Sequence, residues 1–177
     1  MSEHVIPDTG EYADLALGPD GIVLCAESAG RDAVHVYRGA QGAILETLPG
    51  ALNDGRFMAL YPRIAVNPFG QIAVTYQFGT QIAIVLLGVG YDIRPVGEVP
   101  FGTEMVAIAW LPADVCWQAS YIVQIFGVPT LVMRRYDALT GEECADAVLS
   151  RTDTTQGISR ILTDGSGDDF IEFRVFD

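Results

Sequence analysis

Lysine is absent from this chain. All ten basic residues are arginine, set against 23 acidic ones, for a formal net charge of −13 over 177 residues. A field of that sign repels nucleic acid and anionic lipid, so neither is an expected partner. Histidine is nearly absent: His4 and His35 stand far apart, with no cysteine nearby. Only three cysteines occur, Cys25, Cys116 and Cys144, an odd number without C-x-x-C or other metal-type spacing. They fit buried thiols in a reduced compartment better than a disulfide framework. Long hydrophobic runs are missing too, since "IAIVLLGVG" falls well short of the ~20 residues that a membrane-spanning helix needs. The opening "MSEHVIPDTG" has neither the basic head nor the apolar core of a signal peptide, so a soluble, unexported product is expected. No G-x-S-x-G, H-E-x-x-H, P-loop or dinucleotide-binding pattern occurs. No stretch combines a 3.6-residue period with helix caps.

What is present is a core-forming composition, half hydrophobic and 19% charged. That is enough for a single domain of ordinary size. The chain repeats itself. A run of apolar strand, Pro-x-Gly turn and second apolar strand appears around Pro19-Asp20-Gly21 and Pro68-Phe69-Gly70. A looser version follows at Pro112-Ala113-Asp114, and another at Asp164-Gly165-Ser166-Gly167. Proline presets φ for such a turn, and Gly or Asp tolerates the conformation that follows. The prolines are 49 and 44 residues apart, within the roughly 40 to 50 residues of a four-stranded propeller blade.

In the first repeat the pattern predicts strands over 13–17, 22–26, 32–38 and 42–48. In the second it predicts them near 62–66, 71–77, 80–87 and 92–99. Alternation in "DAVHVYR" places Ala33, His35 and Tyr37 on one face and Val34 and Val36 on the other. "IAIVLL" is apolar on both faces, as in a sheet covered on both sides. The expected class is all-β, made of propeller-like antiparallel four-stranded repeats over 12–51, 61–102, 103–150 and, in part, 157–177, after an N-terminal arm at 1–11. A β-sandwich or barrel is the alternative.

The segment "LALGPDGIVLCAESAGRDAVHVYRGAQGAILETL" resembles a blade of the β-propeller repeats, with strand, PDG turn, strand, then V-x-V-Y and a last strand. "RRYDALTGEECADAVL" is similar to the third and fourth strands of such a blade, with Thr140-Gly141 in the hairpin. The resemblance runs at blade level over about residues 12 to 175 and implies a shape, since propellers host enzymes, lectins and scaffolds alike.

The last repeat, "ISRILTDGSGDDFIEFRVFD", holds only two strands. An open edge of unpaired backbone groups is normally covered or paired. The expectation is that something completes it: the N-terminal "EHVIP" closing a small ring, a second copy, or, in an open sandwich, neither.

Candidate sites are few. Asp164, Ser166 and Asp168 in "DGSGDD" place oxygens as a Ca²⁺ loop begins, but the twelfth position is Val175 rather than Glu, and an ordinary Gly/Asp turn explains the run as well. Trp110, Trp117 and Tyr121 are the candidates for stacking on a sugar ring, although Trp110 lies in the apolar "VAIAWLP". Arg134 and Arg135 form a local basic spot suited to an interface or to plain ion pairs. His35 is expected to be a packed or surface residue. Glu142, Glu143 and Asp146 are read as solvated loop carboxylates rather than a catalytic pair.

These readings point to a non-enzymatic structural or interaction protein without a cofactor, Ca²⁺ aside. It would assemble through β edges and apolar rims with other copies of itself or neighbouring proteins. Small β-rich chains of this kind are common among virion proteins, so a bacteriophage tail, fibre or capsid-attached component is the expected setting, with the cytoplasm as the other location. A carbohydrate-binding module or glycan-active enzyme is the alternative.

Overall fold

A computed structural model describes residues 9–39, 43–53, 56–94, 106–112, 114–125, 128–151, 156–163 and 169–175. Every regular element among them is a strand. The first sheet is a meander of β1 (Thr9–Gly18), β2 (Gly21–Ser28), β3 (Ala33–Arg38) and β4 (Ala43–Pro49). The second holds β5 (Ala51–Asn53), β6 (Arg56–Val66), β7 (Ile72–Phe78), β8 (Gln81–Leu86) and β9 (Gly90–Arg94). The third holds β10 (Val106–Leu111), β11 (Cys116–Ile125), β12 (Val128–Asp137) and β13 (Glu143–Arg151). A hairpin of β14 (Gln156–Thr163) and β15 (Asp169–Val175) completes the described strands. All pairings are between sequence neighbours and antiparallel.

The chain is therefore all-β, and the turns fall where the repeat pattern puts them, but β1 begins at Thr9, within the stretch expected as an N-terminal arm over 1–11, and β6 at Arg56, well before the expected 62–66. One strand was not expected. Ala51–Asn53 pairs with the start of β6 through Ala51 and Met58 and adds a fifth strand to the second sheet. Three residues carry too little alternation to be seen in sequence. The strand expected over 92–99 begins at Gly90, and residues 95–99 lie outside the described set. No sheet closes into a barrel among the described residues.

The sheets meet through the strands near their starts. Strand β1 packs against β6, β6 against β10, and β10 against β14. Between the first two sheets lies a core of Val23, Cys25, Val34, Val36 and Leu48 against Ile64, Ile72, Val74, Tyr76 and Val85. Between the second and third lies another, with Ala73, Ile82, Ile84 and Leu86 against Ile108, Trp117, Ala119, Tyr121, Val132 and Tyr136. The second sheet is thus buried on both faces. This is why β8 is apolar throughout and why every residue from Ile82 to Leu86 is buried. At about 25 cal/mol per Å² of apolar surface, each such side chain contributes roughly 1.5–3 kcal/mol against the entropy of ordering the chain.

Two polar pins join the first sheet to the second where β6 is irregular. Its register shifts between Leu60 and Arg63, and Tyr61 takes a left-handed φ of 55°. The Tyr61 N–H donates to the Glu27 carboxylate at 2.8 Å, and the Ile64 N–H donates to Asp14 at 3.1 Å. Side chains of sheet one thereby satisfy backbone groups that the bulge withdraws from the ladder.

The crossover between the sheets turns on Gly50. Its N–H donates to the Asp32 carbonyl at 2.7 Å. A Cβ there would lie 2.8 Å from the Asp32 oxygen and 2.9 Å from the Met58 carbonyl carbon and oxygen. These are backbone atoms and cannot swing aside. Gly50→Ala is therefore expected to cost about 2 kcal/mol, as overpacking of a fitted interior does, read as a lower midpoint in urea unfolding. An unchanged midpoint would show that the crossover has slack.

Candidate functional site

Antiparallel meanders send alternate turns to opposite ends of a sheet, so all the Pro-type turns share one end. Contacts between sheets bring them together. Gly70 lies beside Pro19 and Asp20, Gly18 abuts Val66, and Gly141 lies against Val89 and Leu86. Gln71 donates to the Ala138 carbonyl at 3.3 Å. Phe69 meets the Trp110 ring edge-on at 6.5 Å.

The turns at this end are rigid by their own hydrogen bonding. The buried Asn67 side chain accepts from the N–H groups of Phe69 (3.0 Å) and Gln71 (2.9 Å) and donates to the Gln71 side chain (2.6 Å). Asp137 accepts from the backbone N–H groups of Thr140 and Leu139 and from the Thr140 hydroxyl. These N–H groups hold its carboxyl below the ordinary aspartate value, Thr140 first and Leu139 second. Both are Asx-type turns, which a side-chain oxygen closes at little entropic cost.

Such turns carry large apolar side chains into solvent. Phe69 is 77% exposed and Leu139 80%, with Val89, Val115 and Leu45 around them. Beneath Phe69 runs a groove of about 360 Å³ between the first and second sheets, lined by Arg38, Leu45, Glu46, Phe69, Gln71, Ile72 and Leu87 among others. Arg38 reaches Asp20 only at 4.0 Å, with both side chains largely in solvent, a pair of little energetic weight.

The residues proposed from sequence lie elsewhere. Trp110, Trp117 and Tyr121 do share one face of the third sheet, and that face is turned toward the second sheet. Trp117 and Tyr121 are almost fully buried, and Trp110 is partly so, in edge-on contact with Trp117 at 5.0 Å. The faces of Trp117 and Tyr121 are occupied by core neighbours and offer no platform to a sugar. Arg134 projects on the same face. It donates to the Tyr121 hydroxyl at 2.5 Å and pairs with Glu143 at 2.6 Å. Arg135, one residue on and so on the opposite face, pairs with Asp114 at 2.7 Å and donates to Gln118 at 3.1 Å. Both arginines thus act within their own sheet. Asp164, Ser166 and Asp168 lie outside the described residues. Among the described residues no group of three or more His, Cys, Asp or Glu side chains is placed to hold a metal ion. His35 shares a 3.1 Å hydrogen bond with Thr47 on the outer face of sheet one. Cys25 and Cys116 are buried and Cys144 is exposed. Burial, aided by the nearby Asp14 charge, raises the Cys25 thiol far above its ordinary value, so it is inert.

Sequence reasoning passed over Phe69, although its signal was available. An aromatic between Pro and Gly in a tight turn has no strand face along which to enter the core. Leu139, between Ala138 and Thr140-Gly141, is the same case.

No protein-family model matches this chain. No curated protein matches it either. Among solved structures, it is similar in fold to the extracellular domain of BT4673 from B. thetaiotaomicron, a protein named as a one component system. The TM-score is 0.51 at 15% identity, and the match covers 90% of this chain but 19% of the other. Among the described residues, no helix is long and apolar enough to cross a membrane.

Proposed function

We propose that this chain is a non-enzymatic interaction module, built of propeller-type blades, that assembles with other copies of itself through apolar surfaces. The observation that carries this reading is the set of large apolar side chains held in solvent, Leu15, Leu17, Ile22, Ile44, Leu45, Phe69, Val89, Val115 and Leu139. They are grouped at the turn end and on one face of the first sheet rather than scattered. Grouped exposure of this kind marks contact surfaces, whereas single exposed apolar residues need no explanation. The stacking of successive meanders through β1, β6, β10 and β14 supports the blade reading. A virion is one setting for such an assembly; the fold likeness is to an extracellular domain and lends that setting no support.

Light scattering behind size exclusion tests the reading. The expected result is a mass that is a whole multiple of the 19.1 kDa chain and persists on dilution to low micromolar concentration. A monomer at every concentration would sink it.

One observation favours a second reading. The groove beside Phe69 combines an exposed aromatic ring with Arg38, Glu46 and Gln71, the mixture of stacking and hydrogen bonding that sugar sites use. A glycan array would decide it: Phe69→Ala should abolish any binding seen, and an empty array dismisses the idea.

A further inference from the structure

We propose that the turn end of the sheets is a docking surface for a cationic, apolar segment of another protein. This goes beyond the self-assembly reading, because it gives that end to a partner of opposite charge.

The apolar side chains of this end stand on turns that touch one another. Phe69 is on the turn between β6 and β7. Gln71, two residues on, donates to the Ala138 carbonyl at 3.3 Å, which sets the exposed Leu139 on the neighbouring turn of the third sheet. Gly141 of that turn lies against Val89, itself exposed on the turn between β8 and β9. On the side of Phe69 toward the first sheet, the groove carries the exposed Leu45. The hydrogen bonds of Asn67 and Asp137 fix the turns that hold Phe69 and Leu139, so little ordering remains for a partner to impose.

Charge selects the occupant. Asp20 lies beside Gly70, Glu46 lines the groove, and Asp137 and Glu142 flank the turn that carries Leu139. Asp137 gives one oxygen to the N–H groups of Leu139 and Thr140 and to the Thr140 hydroxyl, and its other oxygen accepts no hydrogen bond among the described residues. Glu46 and Glu142 form no ion pair among the described residues. Against these acids stand Arg38, 4.0 Å from Asp20, and Arg135, which Asp114 already holds at 2.7 Å. A second copy would bring the same acids to this end, and a net charge of −13 on each chain adds to the repulsion. A neutral partner would take the carboxylates out of water without pairing them, which is costly. A cationic, apolar segment meets both demands. Its apolar side chains cover Phe69 and Leu139, and its arginines or lysines pair with the acids and lie over the exposed Phe69 ring. Exposed ion pairs add little energy singly. Here the apolar contacts supply affinity, while the carboxylates choose the partner and speed its approach.

The probe is a labelled, capped peptide of about ten residues alternating arginine and leucine, which at roughly 3.3 Å per residue reaches across adjoining turns. Fluorescence anisotropy with the full chain at neutral pH is expected to show saturable binding that weakens with added salt. Phe69→Ser with Leu139→Ser should weaken it at least about tenfold. Asp20→Asn with Glu142→Gln should weaken it about fivefold and flatten the salt dependence. All four side chains are exposed, so circular dichroism should match wild type. If a variant fails to fold, the peptide reads the same surface from its own side: glutamate for arginine, or serine for leucine, should abolish binding to wild type. The control is Glu11→Gln with Asp32→Asn, two exposed acids at the opposite end, which should bind as wild type does. A control as weak as the Asp20 and Glu142 variant would show that the charge of the whole chain attracts the peptide, and overturns the inference. So does a serine peptide that binds as well as the leucine one, or no binding at all. Glycan binding that needs Phe69, without peptide binding, gives the end to a sugar instead. A wild-type multimer that dissociates when Phe69 and Leu139 are replaced shows another copy covering this end; the inference then falls and the self-assembly reading stands.

Discussion

Replacing Trp117 by alanine is expected to cost about 4 kcal/mol, the range for truncating a large buried aromatic. Trp117 is the largest fully buried side chain described, 1% exposed, and it sits where the second and third sheets meet. It is opposite Trp110 on β10 and Tyr136 on β12, so one ring braces three strands. Its edge-on contact with Trp110 adds the usual aromatic increment of about 0.5–1.5 kcal/mol. Since domains are stable by only about 5–15 kcal/mol, the variant should populate unfolded chain at moderate temperature. Urea titration followed by circular dichroism measures the loss. Trp117→Phe should recover more than half of it. A Trp117→Ala midpoint within error of wild type would mean that the third sheet does not bury the second as described.

The second large effect is expected at Glu27, a carboxylate with no exposure between β1 and β6. One oxygen accepts the Tyr61 N–H, while the other is buried and, among the described residues, lacks a hydrogen bond of good geometry. Burial raises its pKa above the ordinary glutamate value; the Tyr61 hydrogen bond opposes that rise and Arg31 adds a smaller opposing pull. The sign of the linkage follows. A group whose folded pKa is raised favours the fold fully below its unfolded value, near 4.5, and loses that contribution as pH climbs through the folded value. Glu27→Gln keeps an oxygen acceptor and cannot ionise. Its stability relative to wild type should therefore improve from pH 4 upward and level off above the folded pKa. Glu27→Ala removes the acceptor, strands a buried N–H and leaves a void, for about 3 kcal/mol. A Gln variant whose difference from wild type is flat across pH 4 to 8 would show that Glu27 titrates as in an open chain.

The fold class and most strand positions were legible because proline and glycine punctuate the chain where turns must fall, and because a two-residue period separates the faces. The site was less legible, for a specific reason. In "VAIAWLPADVCWQASY" alternation puts Trp110, Trp117 and Tyr121 together on one face, but Ala107, Ala109, Leu111 and Cys116 make the other face apolar too. Periodicity says which residues share a face; it does not say what lies against it. The aromatic trio was therefore a candidate platform, with core the plainer reading for Trp110; Trp117 and Tyr121 are core and Trp110 is partly buried against them. The arginine pair had a related ambiguity. Adjacent residues on a strand point opposite ways, so Arg134 and Arg135 each found a different acid, Glu143 and Asp114, by cross-strand geometry that a linear reading cannot supply. Glu27 lay hidden in "LCAES" because its partner is the backbone of Tyr61, 34 residues away.

The order in which the sheets touch has a consequence for how the molecule comes apart. Among strand pairs in substantial contact, the first sheet meets only the second and the third meets the second and β14, through β1–β6, β6–β10 and β10–β14. Energetic coupling in such a row is between nearest neighbours, as in solenoid repeats. Damage in one sheet weakens the next strongly and those beyond it only through their shared neighbour. The second sheet, buried on both sides, is the link that makes the row cooperate, and fraying begins at its ends.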